Sequence, residues 1–367
     1  MKLYIKRCNK TESFPFEKWL REDVEYTFID SIDDSFVKDF IIVSKEDPDF
    51  HPEDVYAYKL IILEDYCKLI QDNISREYVY NHDYFYLNHQ LNNSYKSSTE
   101  NIIVGSSYGA FGIELGLLNN TVNLSCISQD IYYSTRLLDL VLRKNDNIKN
   151  VVWIMAYYYF FSDLSKTQIE TEISRLYKVY KPILNDSHNC VLLSPRRDYV
   201  YESDVFDISS LLDEYITEDM KENFFNGKFS RSDYASRLWE DKSIDWAELP
   251  DDQKNTSSKL RAESHNKGIR RKNNYIENVG NFTESINYCL NKGINVTVVV
   301  PPASTYYQTY LSSEYKMLFH EQMNCFPDIN VIDLFDSLDF SDMDFNDMDH
   351  LNDNGAVKLT KIIAKLL

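Results

Sequence analysis

Ile102-Ile103-Val104-Gly105-Ser106-Ser107-Tyr108-Gly109 sets a short β-branched run directly against glycine and serine. An unbroken apolar run of strand length predicts a strand buried on both faces. The glycines allow a tight strand-to-helix turn, with a hydroxyl at the start of the helix where backbone amides can stabilise an anion. Four more runs share the strand's character: Val122-Asn123-Leu124, Val151-Val152-Trp153-Ile154-Met155, Val296-Thr297-Val298-Val299-Val300 and Val331-Ile332-Asp333-Leu334. Helical patterns lie between them. Residues 131–143 put Leu137, Leu138, Val141 and Leu142 on one side. Tyr275, Val279, Phe282, Ile286 and Cys289 or Leu290 form a stripe closed by Lys292-Gly293, and residues 355–367 align Ala356, Leu359, Ile363 and Leu366. Strands alternating with helices predict an α/β protein, a three-layer α/β/α domain on a five-stranded parallel sheet.

Residues 1–98 form a separate N-terminal α/β region without a chemical motif. It holds strand-like pieces at 2–7 and 40–44 and a helix expected over 52–74, where Val55, Tyr58, Ile62 and Tyr66 recur at helical spacing. The Asn- and Ser-rich stretch 92–100 reads as a linker. The domain itself runs over 99–367. Its third-to-fourth crossover, about 159–294, far exceeds the dozen or so residues that such a connection needs. The surplus, about 186–252, is expected as an insertion beside the strand ends.

With 367 residues, 43% of them apolar, the chain can bury a large core. Lys and Arg number 39 against 58 Asp and Glu, a net −19, which argues against nucleic acid or an anionic membrane as the main partner. The six cysteines stand singly, without zinc or disulfide spacing. The start of the chain has no apolar run after its basic residues, and no stretch approaches 18 apolar residues. A cytoplasmic protein without a membrane span is expected.

In an open parallel sheet, ligands sit beyond the carboxyl ends of the strands. Ser107 lies there. Near the C-terminus, Asp347-Met348-Asp349-His350-Leu351-Asn352-Asp353-Asn354-Gly355-Ala356 places a carboxylate three residues before a histidine, so that Asp347 can fix one imidazole nitrogen and leave the other as a base. His265 lies on an expected helix, in reach of the pocket or on its outside. Lys267, Arg270, Arg271 and Lys272 form the strongest basic cluster, suited either to a phosphate of a coenzyme or nucleotide sugar or to a solvated helix face. Pro301 to Tyr307, with Ser304, follows the fourth strand and lines the same edge.

Gly105-Ser106-Ser107 early and Asp347-x-x-His350 late, at the two ends of one α/β domain, resemble the SGNH/GDSL hydrolase superfamily. The Asp-His-Leu-Asn-x-x-Gly-Ala string also looks like its bacterial polysaccharide O-acyl-modifying members. The resemblance covers about 101–367. It implies a flavodoxin-like sheet, and it implies Ser107 as nucleophile, His350 as base and Asp347 as orienting acid, acting through an acyl-enzyme on a cell-surface glycan or its precursor. Water as acceptor makes an esterase, and a sugar hydroxyl makes an O-acyltransferase. Ser106 replaces the usual Asp of the first block. Ser128 stands where the second block has its oxyanion glycine, beside Gln129. The third block, Ala156-Tyr157-Tyr158-Tyr159, lacks the usual Asn; a hydroxyl of Tyr157 or Tyr158 is the candidate substitute, and an ordinary buried strand end is the other reading of either residue. Gly105 and Tyr108 complete the expected oxyanion and substrate-binding set. No metal and no tightly bound cofactor are expected, with room for an acyl donor such as acetyl-CoA. The implied partners are a carbohydrate or nucleotide-sugar substrate and polysaccharide-assembly proteins. The altered second and third blocks carry an alternative, a catalytically inactive glycan-binding protein, and a scaffold docked through the N-terminal region is a third reading.

Overall fold

The computed structural model describes residues 2–9, 11, 16–36, 40–51, 59–65, 82–190, 230–231 and 245–367. The chain divides into two compact units, one of Met1–Tyr84 with Ser174–Asn226 and one of Phe85–Ile173 with Gly227–Leu367. Of the insertion expected at about 186–252, residues 191–229 and 232–244 lie outside the described residues.

In the first unit, β1 (Lys2–Lys6), β2 (Glu25–Ile29), β3 (Phe40–Val43) and β4 (Lys59–Ile62) pair in the order β2-β1-β3-β4, all parallel. Leu3, Ile5, Ile41 and Ile42 are fully buried at its centre. The helix expected over 52–74 is corrected where it is described: residues 59–62 are strand, with Ile61 opposite Ile42. Sheet pairing overrides the helical spacing there. The rest of that stretch lies outside the described residues, apart from a helical turn at 63–65.

The second unit holds the predicted sheet. Helix α1 (His82–Ser94) leads into it. The side-chain amide of Asn145 then reaches the carbonyls of Ser94, Lys96 and Thr99 at 2.8–3.1 Å, so the expected linker is tied to the domain. Strands β5 (Asn101–Gly105), β6 (Thr121–Asn123), β7 (Asn150–Ile154), β8 (Asn295–Val300) and β9 (Asn330–Asp333) pair in the order β6-β5-β7-β8-β9, parallel throughout. This is the flavodoxin-like order 2-1-3-4-5.

Alternate side chains of each strand point to opposite faces, which makes three layers. On one face Trp153 meets Phe282 edge-on at 5.2 Å, and helices α3 (Ile131–Lys144) and α5 (Lys272–Asn291) lie there together. On the other, Ile103, Val152, Ile154 and Val299 join Leu359 and Ile363 of α8 (Asp353–Ile363) and Tyr108 of α2 (Ser107–Gly112). Helix α4 (Asp251–Asn266) lies against α6 (Thr305–Tyr310), sharing a cluster of Ala262, Ala303 and Tyr307, and α7 (Ser313–Met323) follows. The site is built where these elements meet the carboxyl edge of the sheet.

Candidate active site

Residues 105–107 turn sharply from strand into helix. A Cβ on Gly105 would stand 2.5 Å from the carbonyl oxygen of Ile154, so glycine lets β5 lie close against β7. Ser106 takes extended backbone angles as N-cap, and Ser107 begins α2. Its hydroxyl is 2.9 Å from Nε2 of His350, 243 residues away in sequence.

The histidine is delivered by a tight loop. Phe345 and Leu351 form an antiparallel bridge, and the Asn346 amide donates to the His350 carbonyl at 2.8 Å. At the tip, Oδ1 of Asp347 accepts the amides of Asp349 (3.0 Å) and His350 (2.8 Å), which pins the carboxylate. Nδ1 of His350 then lies 3.1 and 3.0 Å from the two Asp347 oxygens. Carboxylate oxygens only accept, so Nδ1 carries the proton and the Nε2 lone pair faces the Ser107 hydroxyl. Asn352 caps α8 through the Gly355 amide, starting that helix at Asp353 rather than at residue 355. Arg231 straps the loop to α2, donating to the Phe111 and Leu351 carbonyls and to Asp353.

The imidazole is held by rings as well as bonds. Tyr108 stacks on it with centroids 5.1 Å apart, and Phe111 meets it edge-on at 5.7 Å. Burial disfavours the imidazolium, but Asp347 and Asp349 together outweigh burial and the nearby Arg261, so His350 titrates above its ordinary value. Asp349 is buried, and its Oδ2 accepts the Tyr108 hydroxyl at 2.7 Å and Arg261 Nε at 3.0 Å. With its hydroxyl hydrogen donated in the bond to Asp349, Tyr108 accepts from the Tyr158 hydroxyl at 2.9 Å. Burial, then the charge of Asp349, pushes the Tyr108 phenol well up. Asp347, Asp349 and His350 bring ligand-type atoms within 4.8 Å of one another. In the tautomer that bonds Asp347, Nδ1 offers no lone pair.

Other sequence-predicted residues are placed as follows. Tyr158 joins the site through Tyr108, and its ring stacks on His265 at 4.1 Å. Nδ1 of His265 is 2.6 Å from the Tyr307 hydroxyl. Burial first, then the charges of Arg261 and His350, holds this imidazole well below its ordinary value and therefore neutral. Ser128 has φ +56°, the left-handed region that favours glycine, so the chain keeps the glycine conformation with a serine in it. Its side chain is 3.4 Å from Glu172.

Three candidates are engaged elsewhere. Tyr157 donates to Asp333 at 2.6–2.7 Å and sits among Phe319 and Phe335, which corrects its expected role as an oxyanion donor. Gln129 is buried with its amide on the Leu124 carbonyl and Ser134, a structural rather than a substrate contact. Ser304 is buried as the N-cap of α6. Lys267, Arg270 and Arg271 between α4 and α5, and Lys272 at the start of α5, are exposed, with Lys272 3.7 Å from Glu314. Sequence reasoning missed Arg261, named Tyr307 only within the 301–307 stretch that lines the edge, and gave no role to Asp349 although it adjoins His350.

No family model matches the chain, and no curated protein matches it. Among solved structures it is similar to one described as a "putative platelet activating factor from Streptococcus pneumonia", at 9% identity over 79% of this chain and 96% of that one, with a TM-score of 0.38. A superposition that loose carries nothing about chemistry. No helix among the described residues is long and apolar enough to cross a membrane.

Proposed function

We propose that this chain catalyses serine-dependent acyl transfer or ester hydrolysis on a bacterial cell-surface glycan or its precursor, in the cytoplasm. The observation that carries the reading is the Ser107 hydroxyl 2.9 Å from His350 Nε2, with Nδ1 of the same ring on Asp347. As the Ser107 oxygen bonds to the ester or thioester carbonyl carbon, its proton passes to Nε2 and Asp347 supports the imidazolium. The backbone amides of Ser107 and Ser128 face the oxyanion. The carbonyl–leaving-group bond then breaks, and the leaving group takes the Nε2 proton. Water or a sugar hydroxyl attacks the acyl-serine by the reverse sequence, giving an acid or a new ester.

The glycan, the acyl donor such as acetyl-CoA and the polysaccharide-assembly partners rest on the resemblance of the Asp349 to Ala356 string. An activated acetyl donor should add one acyl group to the wild-type mass and none to Ser107→Ala. Equal labelling of both removes the assignment.

A further inference from the structure

Nδ1 of His350 faces two carboxylates, 3.0 Å from Asp347 Oδ2 and 3.3 Å from Asp349 Oδ1. A serine–histidine–acid relay needs one. Asp347 is well satisfied, since its Oδ1 already accepts two backbone amides. Asp349 is not: its side chain is 1% exposed, and among the described residues Oδ1 accepts no hydrogen bond of ordinary geometry. A buried carboxylate oxygen without a donor is unfavourable even when the group's charge is paired. The group it is aimed at is the imidazole. Its other oxygen is fixed by Tyr108 and by Arg261 of α4, a helix within the long crossover.

We propose, resting on the acyl-transfer reading of Ser107 and His350, that Asp349 is a second acidic positioning residue that shares the imidazolium with Asp347, and that Arg261 sets how strongly it does so. The charged and titratable groups about His350 are Asp347 and Asp349 on its own loop, Tyr108 on α2, Tyr158 after β7, and Arg261 and His265 on α4. As the ring gains a proton, the electrostatic gain from Asp349 grows, while Arg261 opposes it. Removing either partner therefore moves His350 in opposite directions, a pattern that simple loosening of the loop does not produce.

The test is an NMR titration of the His350 ring in Asp349→Asn and Arg261→Gln, beside wild type. Asn keeps an acceptor for Tyr108 and Arg261 without the charge. The expected result is a midpoint about one pH unit lower in Asp349→Asn, because an opposite charge in contact is removed, and a higher midpoint in Arg261→Gln. Unmoved midpoints, or two shifts of the same sign, overturn the assignment. Because the titration reads the ring and not turnover, opposite shifts in a protein whose Ser107 never acylates would uphold Asp349 and remove the acyl-transfer reading. Arg261, partly exposed, gives a variant that spares the core if Asp349→Asn folds poorly.

Discussion

Gly355 lies in the first turn of α8, beneath the loop that carries Asp347 and His350. A Cβ there would stand 2.2 Å from the Asp344 carbonyl oxygen, 2.6 Å from Leu351 Cδ2 and 3.1 Å from Leu351 Cβ. Two effects compete in Gly355→Ala. Helix propensity favours alanine by about 1 kcal/mol. Against it, the Asp344 oxygen is backbone and cannot rotate away, so an ordinary contact of 3.4 Å requires 3.4 − 2.2 = 1.2 Å of movement. Overpacking of this kind costs about 1–3 kcal/mol, so the clash should win by roughly 1 kcal/mol. That corresponds to a fall in Tm of about 2–4 °C for a unit of this size. Asp344 and Leu351 flank the two site residues, and a shift of about 1 Å in catalytic geometry is worth about 100-fold in rate. Thermal unfolding and the second-order rate of labelling by an activated acetyl donor measure the two effects separately. A variant that melts at or above wild type and labels at the wild-type rate would refute the reasoning.

Attack by Ser107 needs neutral His350, and the ring titrates above its ordinary 6.5, so the labelling rate should rise with pH to a plateau through a midpoint above 6.5; a midpoint below 6.5 contradicts this. The same raised value means that charged His350 stabilises the fold below pH 6.5, and that this contribution is lost as pH rises through the folded midpoint. Tyr157→Phe should cost about 1 kcal/mol by removing its bond to Asp333, with labelling within about twofold of wild type; a tenfold loss of labelling would return Tyr157 to the site. Ser128→Gly relieves left-handed backbone strain of about 1–2 kcal/mol and loosens the unfolded chain by a comparable amount. Its Tm should change little and its labelling persist, whereas a tenfold loss would show that the Ser128 hydroxyl, not its amide, is used.

Strands β5, β7 and β8 of the second unit were readable because each is an uninterrupted, mostly β-branched run buried on both faces, as at 102–104 and 151–155, whereas β6 and β9 were read from shorter runs broken by Asn123 and Asp333, and β9 is exposed or half-buried along its length. Strand β2 was passed over although Tyr26-Thr27-Phe28-Ile29 is aromatic or β-branched throughout; it is an edge strand, exposed or half-buried along its length. Strand β4 was hidden by Tyr58, Ile62 and Tyr66, whose spacing imitates a helical face. In the site, Ser107, Asp347 and His350 were legible because local turns fix their chemistry: glycine before the serine, and an i, i+3 acid before the histidine. Arg261 was not, since its partner Asp349 is 88 residues away on another element and nothing in α4 marks one charged residue among many. Tyr157 and Gln129 sit at the right sequence positions, but their side chains are claimed by Asp333, Leu124 and Ser134, a choice made by tertiary packing.

The most direct measurement is a crystal soaked with a serine-directed organophosphonate, read together with the intact mass of the treated protein. The account predicts one adduct, bonded to Ser107 Oγ beside His350 Nε2 and lost in Ser107→Ala. An adduct on any other hydroxyl, or none under conditions that label an ordinary serine esterase, would contradict it.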